Sequence, residues 1–212
     1  MSEIVKNRKY EVTDIAHPEY PWLHRIRALR DVGMDVSKGD LGGYVQTEGN
    51  LAQVAECWVY DDAIVCENAA VMQAAQVRDS AVVRGCALVS GSAVARDKAV
   101  VEDLAIMMNG TVCEKAHISG SANIGQNLHT SLSPVISGSA AVYGEVRGNV
   151  VIREEAVILP GVKIDLPTTD TLCIETANTG IIRDADRKAN RLTPPKEYEQ
   201  PAEKPNHCPQ ER

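Results

Sequence analysis

Small and aliphatic residues recur every six positions along the middle of the chain. When the chain is divided into blocks of six from Asp62, the second residue of each block is almost always Ala and the fourth is mostly Val. The pattern continues through nine blocks, the last of which has Thr111 and Cys113 at these two positions. One block upstream, Cys57 and Val59 keep the same spacing. So regular a period predicts a repetitive architecture.

The period of six excludes a helix and favours a coil of short strands. Six residues turn an α-helix by about 240° net, so the apolar pairs would spread over three helix faces. In a strand, the small and aliphatic residues of a block are two apart and face the same side. The last block residue is often Gly, Asp or Asn, which tolerate corner conformations. Three consecutive blocks then form one triangular coil. We predict an all-β, single-stranded, left-handed parallel β-helix of about six to seven coils.

The repeat is interrupted twice. Ala116 and Ile118 come five residues, not six, after the preceding pair, which predicts a one-residue deletion at a corner. Residues 125–134 match the pattern poorly, which predicts either a degraded coil or a protruding loop. The six-residue spacing returns with Ala140 and ends near Leu166.

The two ends of the chain do not follow the six-residue pattern. Because an open β-helix exposes strand edges, we expect residues 1–49 to cap the upper end of the β-helix, which spans residues 50–166. In this cap, residues 10–12 and 23–29 read as strands, residues 39–43 as a tight turn, and Trp22 as an apolar plug. Two strands are predicted in the C-terminal segment 167–185, at residues 171–176 and 180–183. We expect this segment either to cover the last coil or to pair with another subunit. The polar, proline-rich tail 186–212 is expected to be disordered.

Composition narrows the possible functions. The chain contains no Phe, so its core must be narrow enough for Ala and Val to fill. A net charge of −7 gives no basic surface for nucleic acid. No apolar run is long enough to span a membrane, and the N-terminus lacks a signal-peptide core. The six cysteines form no CxxC pair, and we expect them to be reduced in the cytoplasm.

Several segments resemble a known group of β-helix proteins. The hexad run resembles the bacterial hexapeptide-repeat superfamily, and a closer likeness is to the YdcK-like family of bacterial and phage proteins. That likeness covers about residues 8 to 165 and rests on the motifs HRIRAL (24–29), KGDLGGYV (38–45), EGNL (48–51) and CWVYDDA (57–63). The resemblance implies no catalytic role for the cap motif. In the wider superfamily, many members are trimeric acyltransferases that bind acyl-coenzyme A and use a histidine base, and some are zinc enzymes.

The histidines limit the catalytic alternatives. An acyltransferase needs a surface histidine to deprotonate the acceptor. His129 lies in the irregular stretch, where an active-site loop would be sought, and is the single catalytic candidate, although a solvated loop histidine explains it as well. His117 should simply face outward from a strand. The zinc enzymes of the superfamily that this chain resembles have two histidines five residues apart. This sequence has no such pair, so no metal site is expected.

Apolar residues also occupy outward positions, which points to association. Ile64, Val82 and Val100 are 18 apart and should form one exposed column, while Leu88 and Ile106 should form a second. Exposed apolar columns mark interfaces, so we expect a homodimer or homotrimer. The function expected overall is a non-catalytic scaffold of phage or prophage type that binds a host protein, such as a defence component. The alternative is an acyl-coenzyme A-dependent acyltransferase with His129 as general base.

Overall fold

The chain winds into a parallel β-helix of about seven turns. The computed structural model describes residues 8–176 and the backbone of residues 179–182. Within these limits the regular elements are β-strands apart from one turn of 3-10 helix at Glu48–Asn50. This confirms the predicted β-helix class. No helix in the described residues is long and apolar enough to cross a membrane.

The strands stack into three sheets, which form the faces of the β-helix. Face 1 consists of β1 (Tyr10–Ala16), β2 (His24–Ala28), β3 (Leu41–Val45), β5 (Ile64–Val65), β8 (Val82–Val83), β11 (Val100–Val101), β14 (His117–Ile118), β17 (Ala141–Val142) and β20 (Val157–Ile158). Face 2 consists of β4 (Trp58–Val59), β7 (Gln76–Val77), β10 (Val94–Ala95), β13 (Thr111–Val112), β16 (Val135–Ile136), β19 (Val150–Ile152), β22 (Thr171–Ile174) and β23 (Thr179–Ile182). Face 3 consists of β6 (Ala70–Val71), β9 (Leu88–Val89), β12 (Ile106–Met107), β15 (Asn123–Gly125), β18 (Glu145–Gly148) and β21 (Lys163–Leu166).

The six-residue pattern places its apolar pairs in the core. Val65 pairs with Val83 of the next coil, and Val83 pairs with Val101 in the same way. These three side chains are 0% exposed. Each coil therefore repeats the one above it, and stacked Ala and Val side chains fill the narrow interior.

The corners between faces carry left-handed residues that are linked from coil to coil. Ten described residues other than Gly have positive φ, and most end a block of six. The carboxylate of Asp79 (φ 58) accepts the backbone N–H of Asp97 at 3.0 Å, and the backbone N–H of Asp79 donates to the Asp61 carboxylate at 3.2 Å. Asp97 accepts from the N–H of Glu114 at 2.9 Å. We refer to Asp61, Asp79, Asp97 and Glu114 as the corner ladder.

The structure corrects the position of the deletion in the repeat. Val112 is the fully buried strand residue of β13, and Cys113 lies at the following corner. The spacing of five therefore falls between Met107 and Val112 rather than after Cys113. The expectation that Cys113 points into the core from a strand was wrong, although the residue is only 4% exposed.

Residues 126–134 form a loop that leaves the coil between faces 3 and 2. The buried Asn127 organises it, because its side-chain oxygen accepts the N–H groups of His129 and Thr130. The Asn127 amide nitrogen donates to Asp165 at 2.6 Å. Of the two predicted alternatives, the loop is therefore the one observed.

The N-terminal strands extend face 1 upward instead of lying across the β-helix. Strand β2 is antiparallel to β1 and β3, and β3 is parallel to β5. The predicted turn at residues 39–43 is wrong at its end, because Gly42 and Gly43 belong to β3. A Cβ atom at Gly43 would stand 2.5 Å from the Ala63 carbonyl oxygen, so the close approach of two backbones requires glycine.

Side chains from the cap close the upper end of the core. Tyr10 is 0% exposed, donates its hydroxyl to the Leu51 carbonyl at 2.7 Å, and meets Trp58 edge to face. Asn50 donates to the Ala69 carbonyl at 2.9 Å. Trp22 is 49% exposed, so the prediction that it plugs the top coil was wrong.

Two strands follow Pro167, close to where the sequence predicted them. Strand β22 lies parallel to β19 and so continues face 2, while β23 turns back antiparallel to β22. The tail predicted for residues 186–212 lies outside the described residues.

Candidate binding surfaces

The outward residues of face 1 form a continuous column. Ile64 pairs in register with Val82, and Val82 with Val100. The column continues downward to His117 and Ala141. All five side chains are partly exposed. The stacking that the three-block spacing predicted is therefore present, and it creates a ridge of apolar groups with a histidine below it.

A groove lies beside the upper half of this column. Tyr20 and Trp22, which are 44% and 49% exposed, stand next to Ile64 and Val82 and enclose about 230 Å³ with them. Pockets that hold drug-sized ligands usually have about 300–1,000 Å³. The groove is thus smaller than the usual pocket for a drug-sized ligand, and the charged residues Glu67 and Arg84 also line it. Sequence reasoning missed it because Trp22 was assigned to the core.

Aromatic and cationic contacts hold the wall of the groove in place. His17 packs edge to face on Tyr44 at a ring distance of 4.6 Å and also contacts Tyr20. Arg25 also stacks on Tyr44, with its guanidinium 4.3 Å from the centre of the ring. These contacts position the aromatic side chains of the wall. Burial raises the pKa of Cys66, at the floor of the groove, to about 11, so this thiol is protonated and unreactive at neutral pH.

Below the groove, a histidine, a carboxylate and a guanidinium form a charged network. Glu102 accepts from Arg84 at 2.6 Å and contacts Nε2 of His117 at 2.7 Å. Glu102 is largely covered, with 16% of its side chain exposed. The hydrogen bond to Glu102 raises the pKa of Arg84, which is charged in any case. A carboxylate-oriented histidine is an arrangement that can serve as a general base.

Sequence reasoning treated His117 as a plain surface residue. The signal was available in the coil spacing, since Glu102 follows Arg84 by three blocks of six and therefore lies directly below it. His117 follows Glu102 by 15 positions. Because of the one-residue deletion, it lies on the next coil of face 1, where its ring contacts Glu102.

Face 3 carries a second and more exposed apolar surface. Leu88 and Ile106 pair in register, as their spacing predicted. Around Ile106, which is 37% exposed, Leu104 and Met108 are 63% and 50% exposed. Leu128, 79% exposed in the 126–134 loop, shares a depression of about 120 Å³ with Met108. We refer to Leu104, Ile106, Met108 and Leu128 as the face 3 patch.

The structure places His129 at the exposed part of the same loop. Its backbone N–H is bonded to Asn127, but its imidazole has no hydrogen-bond partner among the described residues. It is not brought together with His117, which stands on a strand of face 1. In the part of the chain that the structure describes, no three His, Cys, Asp or Glu side chains are grouped as metal ligands would be.

The fold and these surfaces define the class of the protein as a capped parallel β-helix with apolar patches on two faces. Neither family models nor curated protein sequences match this chain. Fold alone does not determine function, so the surfaces themselves must carry the functional argument.

Proposed function

We propose that this protein is a non-catalytic scaffold that joins copies of itself through face 1 and binds a foreign protein through the face 3 patch. The observation that carries this proposal is the presence of two separate exposed apolar surfaces on one rigid β-helix. Contiguous exposed apolar surface is a mark of interaction sites. Two such surfaces on different faces allow both partners to bind at once.

Face 1 has the shape expected for contact between copies. Its outward column from Tyr44 to Val157 contains seven strands, and stacking at about 4.8 Å gives a length of roughly 29 Å. Ile64, Val82 and Val100 lie near its upper middle. We propose a homodimer or homotrimer assembled around them.

The face 3 patch has the features of a surface for a foreign protein. Met108 and Leu128 are flexible or projecting apolar groups, and methionine adapts well to the shape of a partner. The resemblance to YdcK-like bacterial and phage proteins suggests a cytoplasmic host protein as the partner, for example a component of a defence system. Binding would then block that component sterically, because the bound β-helix would cover part of its surface.

Two substitutions separate the two halves of the proposal. Val82→Asp puts a charge in the centre of the face 1 column, and Ile106→Asp does the same in the face 3 patch. Val94→Asp on face 2 is the matched control, because Val94 is also a partly exposed outward strand residue. Light scattering measures the assembly, and affinity capture from host extract with quantitative mass spectrometry measures foreign binding.

Val82→Asp should lower the molecular mass, while Val94→Asp should leave it unchanged. Ile106→Asp should keep the assembly but lose one host protein that both the wild type and Val94→Asp retain. Equal capture of every host protein by the wild type and Ile106→Asp would refute the role of face 3. A wild type that is already monomeric would refute the role of face 1.

A second candidate function is acyl transfer, and the contact between His117 and Glu102 favours it. In this version His117 is the general base, oriented by Glu102, and acyl-coenzyme A is the donor. Coenzyme A release in the presence of amine and hydroxyl acceptors is the assay. His117→Asn should abolish turnover. Loss of turnover in His129→Asn, with His117→Asn still active, would instead support His129 as the base.

A further inference from the structure

A lysine and a cysteine are held in direct contact at the upper end of the β-helix. Lys9 Nζ lies 3.2 Å from Cys57 Sγ and also donates to the Cys57 carbonyl oxygen at 2.8 Å. Both side chains are 0% exposed. The Gln53 side-chain oxygen accepts the Lys9 N–H at 2.9 Å, which fixes the start of the cap over the first coil. The amine and the thiol therefore meet in one geometry.

The backbone contact explains why a lysine is buried here. In the coils below, the carbonyl of the residue equivalent to Cys57, such as that of Ala75, accepts an N–H from the coil above. Cys57 is in the first coil of face 2, so its carbonyl needs another donor, and Lys9 supplies it. This hydrogen bond by itself is enough to hold the Lys9 amine beside Cys57 Sγ.

The surroundings of the pair favour reaction between its members. Burial lowers the pKa of Lys9, so its amine is neutral more often than that of an exposed lysine. A neutral amine is a nucleophile, and an amine next to a thiol can accept its proton to give the thiolate. The 3.2 Å contact between Lys9 Nζ and Cys57 Sγ thus places a nucleophilic amine beside the sulfur.

We propose that Lys9 and Cys57 are a peroxide-sensitive cross-linking site that forms a sulfur–nitrogen bond. The Cys57 thiolate attacks hydrogen peroxide, giving a sulfenic acid and hydroxide, and the hydroxide removes the proton held by Lys9 to form water. The neutral amine then attacks sulfur, the S–N bond forms, the S–O bond breaks, and a second water leaves. Sulfur is oxidised by two electrons and the peroxide is reduced. A reducing thiol reverses the reaction and is itself oxidised to a disulfide.

Three other cysteines of the described chain provide internal comparisons. Cys66 and Cys113 are buried with raised pKa values and should stay reduced. Cys86 is exposed and should oxidise first, but within the described residues no lysine amine is hydrogen-bonded to its sulfur as Lys9 is to that of Cys57. Peroxide reaches Cys57 through local opening of the cap, so Cys57 should react more slowly than Cys86. The product joins residue 9 to residue 57 and ties the cap to the first coil.

The test uses the full chain carrying Cys86→Ser, treated with hydrogen peroxide and then with an alkylating agent. Peptide mass spectrometry should find the peptides of Lys9 and Cys57 joined, with the pair lighter by two hydrogen atoms. Dithiothreitol should separate them, and the cross-linked protein should melt at a higher temperature than the reduced one. Lys9→Arg keeps the charge but lacks a nucleophilic amine, so it should leave Cys57 as a sulfenic or sulfinic acid without a cross-link.

Two results would overturn the proposal. One is complete alkylation of Cys57 after an exposure many times longer than the one that fully oxidises Cys86 in the wild type. The other is a cross-link of equal yield when the protein is treated while unfolded in urea, because the reaction would then not depend on the native contact. The urea experiment needs no substitution, so it decides the question even if Lys9→Arg does not fold.

Discussion

Substitution of Asp79 in the corner ladder separates two contributions to the stability of the corners. Asp79 has a left-handed backbone (φ 58), and its carboxylate accepts the N–H of Asp97 at 3.0 Å. Asp79→Ala removes the acceptor and keeps the unfavourable backbone. A net hydrogen bond at an exposed site contributes about 1 kcal/mol, and Ala tolerates this conformation less well than Asp by roughly 0.5 kcal/mol. We therefore expect a loss of about 1.5 kcal/mol.

Asp79→Gly should cost much less. The left-handed conformation costs an ordinary residue about 1–2 kcal/mol, while the greater chain entropy of Gly costs about 0.5–1 kcal/mol, so Gly regains roughly 0.5–1 kcal/mol. The net loss should be about 0.5 kcal/mol. Asp79→Asn, which keeps an acceptor and tolerates positive φ, should also cost about 0.5 kcal/mol. Ala55, exposed with φ 61, is the matched control in which Gly should stabilise by about 0.5–1 kcal/mol.

Urea unfolding followed by circular dichroism measures these differences. For a chain of this length, 1 kcal/mol corresponds to about 2–4 °C in melting temperature, so thermal melts provide a second readout. The order of stability should be wild type, then Asp79→Asn and Asp79→Gly together, then Asp79→Ala. Equal stability of the Gly and Ala variants would refute the backbone part of this reasoning. Equal stability of Ala and wild type would refute the ladder.

Three further substitutions test the core, the cap and the buried lysine. Ala81→Leu should overpack the fully buried core and cost about 1–3 kcal/mol in urea unfolding. Gly43→Ala should destabilise the cap, since its Cβ would stand 2.5 Å from a backbone oxygen, whereas Gly125→Ala, with nothing within 4 Å, should be tolerated. For Lys9, whose pKa is below its ordinary 10.5, the unfolded chain takes up a proton at a higher pH than the folded protein, so stability falls as pH falls from about 10.5 toward the folded pKa. The stability of the wild type relative to Lys9→Met should therefore rise as the pH rises toward about 10.5, and a constant difference would contradict this.

The repeat itself was predictable because each six-residue block carries its own physical signal. An Ala and a Val two positions apart define the inward side, and a corner residue follows, as at Ala81 and Val83. The same spacing correctly stacked Ile64, Val82 and Val100. These features depend on local sequence, and neighbouring coils merely repeat them.

Features that depend on tertiary contacts were not predictable in the same way. Trp22 was assigned to the core from its size, but the core at the top is filled by Tyr10, which the sequence placed only in a strand. Burial of Lys9 depends on a carbonyl 48 positions away that has no coil above it. The contact of His117 with Glu102 depends on how two side chains of neighbouring coils are oriented toward each other. No local pattern contains this information.

The mass of the protein in solution is the most direct test of the claim that face 1 joins copies of the chain. Multi-angle light scattering should give two or three times the 22.9 kDa of one chain for the wild type and for Val94→Asp, and about one chain mass for Val82→Asp. A wild-type mass of 22.9 kDa, or a Val82→Asp mass equal to that of the wild type, would contradict the proposed assembly.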